Sequence, residues 1–398
     1  MFSSLKAQPT DPILGLMAAY RNDPNPNKID LGVGVYKDEQ GNTPVLKCVK
    51  KAEQFRLANE ASKSYLGLAG DLGYNDKVRT LIFGADHQVI AADRARTTQT
   101  PGGTGALRVA AEFIARCKPD ATIWVSTPTW ANHIALFSAA NMKVKEYPYY
   151  DYDNRDLLFD EMMATLSEVK AGDIVLFHAC CHNPSGMDLN QQQWQKVAQL
   201  ALTNGFTPMI DMAYQGFGTG LDEDAYGVRL LADMVDELIV CTSCSKNFGL
   251  YRERLGAVTV VAKDTSVVEI AYSVVLGVVR GIYSMPPHHG AAIVDTILSS
   301  EELTAMWHQE LAEKRDRING LRKLIVAKLA KVGIAQDFSF IERQHGMFSF
   351  FGITKAQIEQ LKSDYSIFMV DSGRMNVAGI SHSNIDYFAQ SVAAVLNQ

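Results

Sequence analysis

The sequence predicts an α/β fold, with a mostly parallel sheet in a large domain and a smaller α+β domain beside it. Three observations carry this expectation. β-rich segments alternate with helix-patterned ones through the middle of the chain, the arrangement that builds a sheet covered by helices. Several of the β segments are near-continuous apolar runs, as parallel strands buried on both faces require. At 398 residues, the chain also exceeds what a single hydrophobic core usually serves.

The strands are expected at 122–126, 144–147, 173–178, 208–211, 238–241 and 257–262. Between them run helical patterns such as 105–116, where apolar residues recur at helical spacing. From 301 to about 332 the chain reads as one long helix rich in Glu, Lys, Arg, Leu and Ala, which Gly320 interrupts without ending. The remainder mixes helices with short strands, 347–351 among them.

Composition narrows the function. Hydrophobic residues make up 47% and charged residues 21%, and the net charge is −6, so there is no basic footprint for nucleic acid and no polybasic membrane patch. No apolar run approaches the ~20 residues of a membrane span, and the first residues lack a signal-peptide pattern. A cytoplasmic enzyme is the expectation. Six cysteines in a chain of this length do not form a disulfide framework. On a strand, Cys241 and Cys244 point to opposite faces, so they are read with Cys180 and Cys181 as buried small residues, and no metal site is expected.

The chemistry-bearing residues gather at expected strand ends. Lys246 follows the apolar run at 238–241, with Arg254 eight residues later. A lysine so placed can condense with an aldehyde, and an arginine can hold a phosphate; pyridoxal phosphate carries both groups. Thr100-Pro-Gly-Gly-Thr-Gly-Ala106 opens a helix, where backbone N–H groups favour an anion, although Gly and Thr there are also ordinary capping residues. Asp211 ends a strand, suited to pair with a pyridinium N–H or to cap the next helix. Tyr214 and Asn183 offer donors to a ring oxygen, and Trp130 offers a stacking face. His133 and His178 lie near the same ends as supporting or core histidines. Arg374 and Arg280 sit in apolar stretches, where an arginine needs an anion or an internal ion pair. Asn183, Asp211 and Lys246 thus fall where ligands bind in open α/β sheets.

The chain resembles the class I aminotransferases of the aspartate and aromatic amino acid group. The likeness runs from Asp11 to the C-terminus, through Leu31-Gly-Val-Gly-Val-Tyr-Lys-Asp38, Tyr65-Leu-Gly67, Thr100-Pro-Gly-Gly-Thr-Gly-Ala-Leu-Arg108, His182-Asn-Pro-Ser-Gly186, Ser245-Lys-Asn-Phe-Gly-Leu-Tyr251 and Ser372-Gly-Arg-Met-Asn-Val-Ala-Gly379. It implies the aspartate aminotransferase-like fold (PLP fold type I), with an N-terminal arm at 1–13, a small domain at 14–44 and 314–398, and a large cofactor domain at 45–313. Lys246 would hold pyridoxal 5'-phosphate covalently. Asp211 would pair the ring nitrogen with His133 steadying it, Tyr214 and Asn183 would reach the ring oxygen, and Trp130 would stack on the ring. Gly103, Thr104, Ser243, Ser245 and Arg254 would hold the phosphate, joined by Tyr65 from the other subunit of a homodimer. Arg374 and the Gly34 backbone, together with Trp130 and Asn183, would bind the substrate around its α-carboxylate, and Arg280 of the other subunit a distal carboxylate. Cis peptide bonds before Pro128 and Pro184 are implied as well.

The implied reaction moves an amino group from aspartate or an aromatic amino acid to 2-oxoglutarate, in a ping-pong sequence. Val35, Lys37, Thr43 and Thr104 look like the aspartate branch. Ser64 and Met285 depart from it, and the stretch around Lys246 looks closer to bacterial aromatic aminotransferases. Dual specificity is therefore expected, with a strict aspartate aminotransferase as the alternative. A lyase or decarboxylase fits poorly with paired arginines, and a cofactor-sensing regulator lacks any basic DNA-binding region.

Overall fold

The computed structural model describes residues 2–7 and 12–397. The chain divides into two compact units, residues 44–317 and residues 1–43 with 318–398. Of the expected N-terminal arm, residues 1 and 8–11 lie outside the described residues, as does Asp11 at the start of the family likeness.

The larger unit is built on a seven-stranded sheet. Its strands are β1 (Ala95–Pro101), β2 (Thr122–Thr127), β3 (Lys143–Pro148), β4 (Ile174–His178), β5 (Thr207–Met212), β6 (Leu238–Ser243) and β7 (Leu255–Val261). They lie in the order β1-β7-β6-β5-β4-β2-β3. β7 runs antiparallel to β1 and β6, and the other neighbours are parallel. The carboxyl ends of β1 to β6 therefore share one edge with the amino end of β7. The chain passes from β2 out to β3 and returns on the other side of β2 to β4, so strand order switches there. Ligands of open α/β sheets bind at the carboxyl edge beside such a switch.

The predicted strands all form, within two residues at their ends. β1 is a difference: its sequence, Ala-Arg-Thr-Thr-Gln-Thr-Pro, carries no apolar signal, yet most of it is buried. Its polar groups are satisfied internally, since the hydroxyls of Thr97 and Thr259 pair across the ladder at 2.8 Å and the Gln99 amide donates to the Pro287 carbonyl. Every residue of β6 and β7 is buried, consistent with cover on both faces.

Helices α1 (Lys47–Asn59), α2 (Leu72–Phe83), α3 (Gly102–Cys117), α4 (Thr265–Ile282) and α5 (Glu301–Lys331) are those that matter below. α3 buries an apolar face of Ala106, Leu107, Val109, Ala110 and Ile114 in one core with Ile123, Leu176, Met209 and Ile239. α4 is the one described helix long and apolar enough to cross a membrane by length and composition, a match not expected from the sequence. Glu269 pairs with Arg96, and Val268, Val275, Val278 and Val279 are buried against the same core. α5 runs through Gly320 without a break, as expected.

In the smaller unit, Ile29–Asp30 pairs parallel with Ile367–Phe368, and Phe348–Phe350 pairs antiparallel with Arg374–Asn376. Arg322 is buried in this unit and donates to the carbonyl oxygens of Ile341, Gly346 and Phe348. Arg322→Met is expected to strand these acceptors and to cost on the order of 3 kcal/mol, read as a lower urea midpoint.

Candidate active site

The amino end of α3 begins where β1 ends. Gly102 has a φ of +78°, and a Cβ there would lie 2.3 Å from the Arg254 guanidinium. A Cβ on Gly103 would meet Ser243 at 3.1 Å. Glycine at both positions brings the first N–H groups of a sixteen-residue helix close to Arg254 and Ser243, and those groups with an adjacent guanidinium make an anion cradle. Arg254 itself is exposed and oriented by donation to the Tyr251 carbonyl at 3.0 Å. Thr104, exposed, and Ser245, buried, border the same cradle.

Three residues beyond β6, Lys246 places its Nζ over the Tyr214 ring, 4.6 Å from its centre. The backbone beyond Lys246 is fixed from α5. Trp307, fully buried, donates through Nε1 to the Asn247 carbonyl at 2.9 Å, and its ring stacks on Phe248 at 4.3 Å. The sequence reading missed this clamp, since a tryptophan in a helix otherwise reads as ordinary core.

Asp211 does not cap a helix: β5 continues to Met212. Its Oδ2 lies 3.0 Å from His133 Nε2, and His133 Nδ1 lies 2.8 Å from Thr129 Oγ1. Thr129 Oγ1 is in turn 3.3 Å from His178 Nε2, and the Asn183 N–H donates to His178 Nδ1 at 3.4 Å. That last donor fixes the tautomers. His178 carries its proton on Nε2 and donates to Thr129; Thr129 donates to His133 Nδ1; His133 donates from Nε2 to Asp211. Burial alone would raise the Asp211 pKa. The His133 hydrogen bond and the nearby His133, His178 and Lys246 outweigh it, so the carboxyl lies below its ordinary value and is ionised at neutral pH. Thr129 was not singled out from the sequence, although a hydroxyl four residues before His133 at a helix start was the available signal.

Burial, with the neighbouring His133, pushes His178 down to about 3. His182 is also held well below its usual range, by burial first and then by His178 and His133. A histidine with a depressed folded-state pKa stabilises the fold above its unfolded pKa, and that stability is lost as pH falls towards the folded value. The urea midpoint is therefore expected to fall between about pH 6.5 and the low folded-state values. His178→Gln should flatten that slope; an unchanged slope would remove His178 as a cause.

Trp130 stands edge-on to His133, with ring centres 5.2 Å apart. Asn183 follows β4 in a turn with Pro184, and its Oδ1 is buried without a hydrogen-bond partner among the described residues. The peptide bonds before Pro128 and Pro184 are both cis, as the resemblance implied. Cys180, Cys181 and Asp224 bring their ligand atoms within 4.8 Å of one another, a grouping the sequence reading did not foresee. Asp224 already accepts from the N–H groups of Gly216, Gly218 and Thr219.

Two predicted residues stand apart from this cluster. Tyr65, 93% exposed, and Arg280 line a surface cavity of about 1010 Å³ together with Ser64 and Met285. Arg280 donates to Ser284 Oγ at 2.7 Å. In the smaller unit, Arg374 is buried, donates to the Gly32 carbonyl at 2.9 Å and lies 4.2 Å over the Phe348 ring. A Cβ on Gly34 would lie 2.9 Å from that same ring, so Gly34 and Arg374 both pack against Phe348.

Residues 26–392 match the family model described as aminotransferase class I and II. The chain belongs to this family. It is 51% identical over 396 residues to an aspartate aminotransferase of Escherichia coli (strain K12), covering all of both chains. It is 47% identical to an aromatic-amino-acid aminotransferase of Pseudomonas aeruginosa, covering 99% of this chain and 98% of that one. Among solved structures, an aromatic-amino-acid aminotransferase from Burkholderia pseudomallei, covalently bound to pyridoxal phosphate, superposes with a TM-score of 0.98 at 43% identity, covering 100% and 99% of the two chains. The aspartate aminotransferase-like fold expected from sequence is thereby established.

Proposed function

We propose that this chain is a pyridoxal-phosphate-dependent aminotransferase that moves the amino group of aspartate and of aromatic amino acids to 2-oxoglutarate. The carrying observation is the convergence at one sheet edge of Lys246, an ionised Asp211 held by His133, and the Gly102–Arg254 cradle. The residues fit the cofactor on this chain's own geometry. The glycine cradle suits a dianionic phosphate, and the Asn183 amide, whose Oδ1 is buried without a partner among the described residues, is placed for a polar ring substituent.

When bound, pyridoxal phosphate supplies an aldehyde for amine exchange and a protonated ring that accepts the electrons left at the substrate α-carbon. Lys246 holds it covalently, then serves through Nζ as the base that takes and returns the α-proton. Asp211 keeps its carboxylate against the ring nitrogen, and the one-way chain from Asn183 N–H to His133 keeps that carboxylate ionised and aimed. Tyr214 and Asn183 donate to the ring oxygen, while Trp130 covers the ring face and excludes water. Gly103, Thr104, Ser243, Ser245 and Arg254 hold the phosphate. Arg374, its fork fixed by the Gly32 carbonyl and the Phe348 face, holds the substrate α-carboxylate beside the Gly34 backbone.

Tyr65 and Arg280 serve the partner's site in a homodimer. This reading is supported by their exposure on a cavity whose lining includes none of the Lys246 cluster, and by the exposed apolar side chains Ile270 and Ile282 on α4. Arg280 then meets a distal carboxylate, and the adaptable Met285 side chain accommodates a ring at the same cavity edge. A cytoplasmic setting agrees with six cysteines that form no disulfide among the described residues.

The test is spectroscopic. Purified protein supplied with pyridoxal phosphate should absorb in the visible, and glutamate should bleach that band with release of 2-oxoglutarate. No bleaching with glutamate, aspartate or phenylalanine would sink the reading.

A further inference from the structure

The two walls of the Arg280 cavity come from distant stretches of the chain, and something must set their spacing. One wall is the segment 60–71, with Ser64 and Tyr65 exposed at its middle. The other is 280–289, where Ser284 takes a φ of +68° and receives Arg280. The His288 imidazole stands between them. Its Nε2 is 3.0 Å from Asp71 Oδ2, and its Nδ1 is 3.5 Å from Glu60 Oε1. His288 thus reaches both ends of the first segment at once.

Each of those carboxylates is anchored. Asp71 Oδ1 accepts from Tyr74 N–H and caps α2. Glu60 ends α1 and is gripped by Arg56 and Lys63, which together hold its pKa down at about 2. Beneath the imidazole, the buried Gln99 amide accepts from Asp71 N–H at 2.9 Å and donates to the Pro287 carbonyl at 2.7 Å. Gly70 closes against Gln99 and Pro286, where a Cβ would lie 2.3 Å and 2.7 Å away. Gln99 therefore joins the two segments from the buried side, at Asp71 and Pro287, and the His288 side chain joins them a second time at Asp71.

We infer that His288 is a specificity-positioning residue. By hydrogen-bonding Asp71 and standing against Glu60 it fixes the Ser64–Tyr65 wall against the Arg280–Met285 wall, and so holds Arg280 in register for a substrate's distal carboxylate. The inference rests on the reading of Arg280 given above. A guanidinium needs the carboxylate aligned with its fork, whereas an apolar ring tolerates displacement. Loss of the clasp therefore penalises acidic substrates more than aromatic ones.

Two variants test it. His288→Ala removes the clasp. Asp71→Asn keeps the helix cap, for which Asn serves as well as Asp, but weakens the clasp from the other side. In both, kcat/KM for aspartate should fall about tenfold, mainly through KM, with phenylalanine changed less than about threefold, as sub-ångström misplacement of a positioning group allows. His288→Gln, which keeps a donor, should recover part of the loss. Independently of turnover, amide hydrogen exchange across 61–70 should quicken about tenfold in His288→Ala, through more frequent local opening. Unchanged exchange, or an equal effect on both substrates, overturns the clasp. A wild-type protein that transaminates neither substrate overturns the functional reading instead, and the exchange measurement still decides the clasp.

Discussion

Replacing Lys246 by alanine is expected to lower transamination at least about 10⁴-fold while leaving the fold and the cofactor cradle in place. The size follows from the two tasks that converge on one nitrogen. Covalent capture divides a difficult exchange into easier steps, and proton transfer at the substrate α-carbon by a positioned base contributes ~10²–10⁴-fold by itself. No neighbouring side chain is set to substitute. The Tyr214 ring lies beneath Nζ, Asp211 is committed to His133, and His133 and His178 spend both ring nitrogens in the Thr129 chain. The fold should survive because the loop is fixed by Asn247 and Phe248 against Trp307 rather than by the lysine. Single-turnover mixing of the variant with glutamate measures the loss, and a small primary amine added to the buffer should restore part of the rate as an external base. Turnover above one per cent of wild type would remove Lys246 from the mechanism.

Much of this arrangement was legible because apolar strands and the polar residues that end them leave opposite signals in a sequence. β4, β5 and β6 read as apolar runs; Asp211 breaks the pattern one residue before the end of β5, and Asn183 and Lys246 follow in the turns beyond β4 and β6. β1 was illegible for the converse reason. Its threonines and glutamine are buried by pairing with one another and with Thr259 and Pro287, and hydrogen bonding across strands leaves no periodic trace. The reversal of β7 was hidden likewise, since a strand buried on both faces looks the same in either direction.

The site divides along the same line. Residue types announce themselves, but the chain that orients them does not. Thr129 matters only because His133 and His178 flank its hydroxyl in space, and Trp307 only because α5 delivers it to the loop after Lys246. His288 lies more than two hundred residues from both carboxylates it joins. Such contacts are set by the sheet, and they become visible only once strand order is known.

Asp211→Asn should lower kcat about 10³-fold with little change in the KM for aspartate. The substitution keeps the shape and can still accept the His133 N–H, so packing is preserved. It removes the negative charge that the site is built to hold: the carboxyl is kept ionised by His133 against the opposing effect of burial. A neutral amide cannot hold a proton on a facing ring nitrogen, and a preorganised charge of this kind is worth about 10²–10³-fold or more where water is excluded. Substrate recognition should be unaffected, since the group proposed to hold the α-carboxylate is Arg374, anchored on the Gly32 carbonyl. His133→Asn, which leaves the carboxylate but weakens its anchor, should cost only about tenfold. The sign of the pH dependence separates the two. Because the carboxyl lies below its ordinary range, the wild-type rate should show no acid limb from Asp211 between pH 5 and 8, while His133→Asn should bring such a limb upward towards that window. An Asp211→Asn enzyme with near-native kcat would show that the ring nitrogen needs no carboxylate.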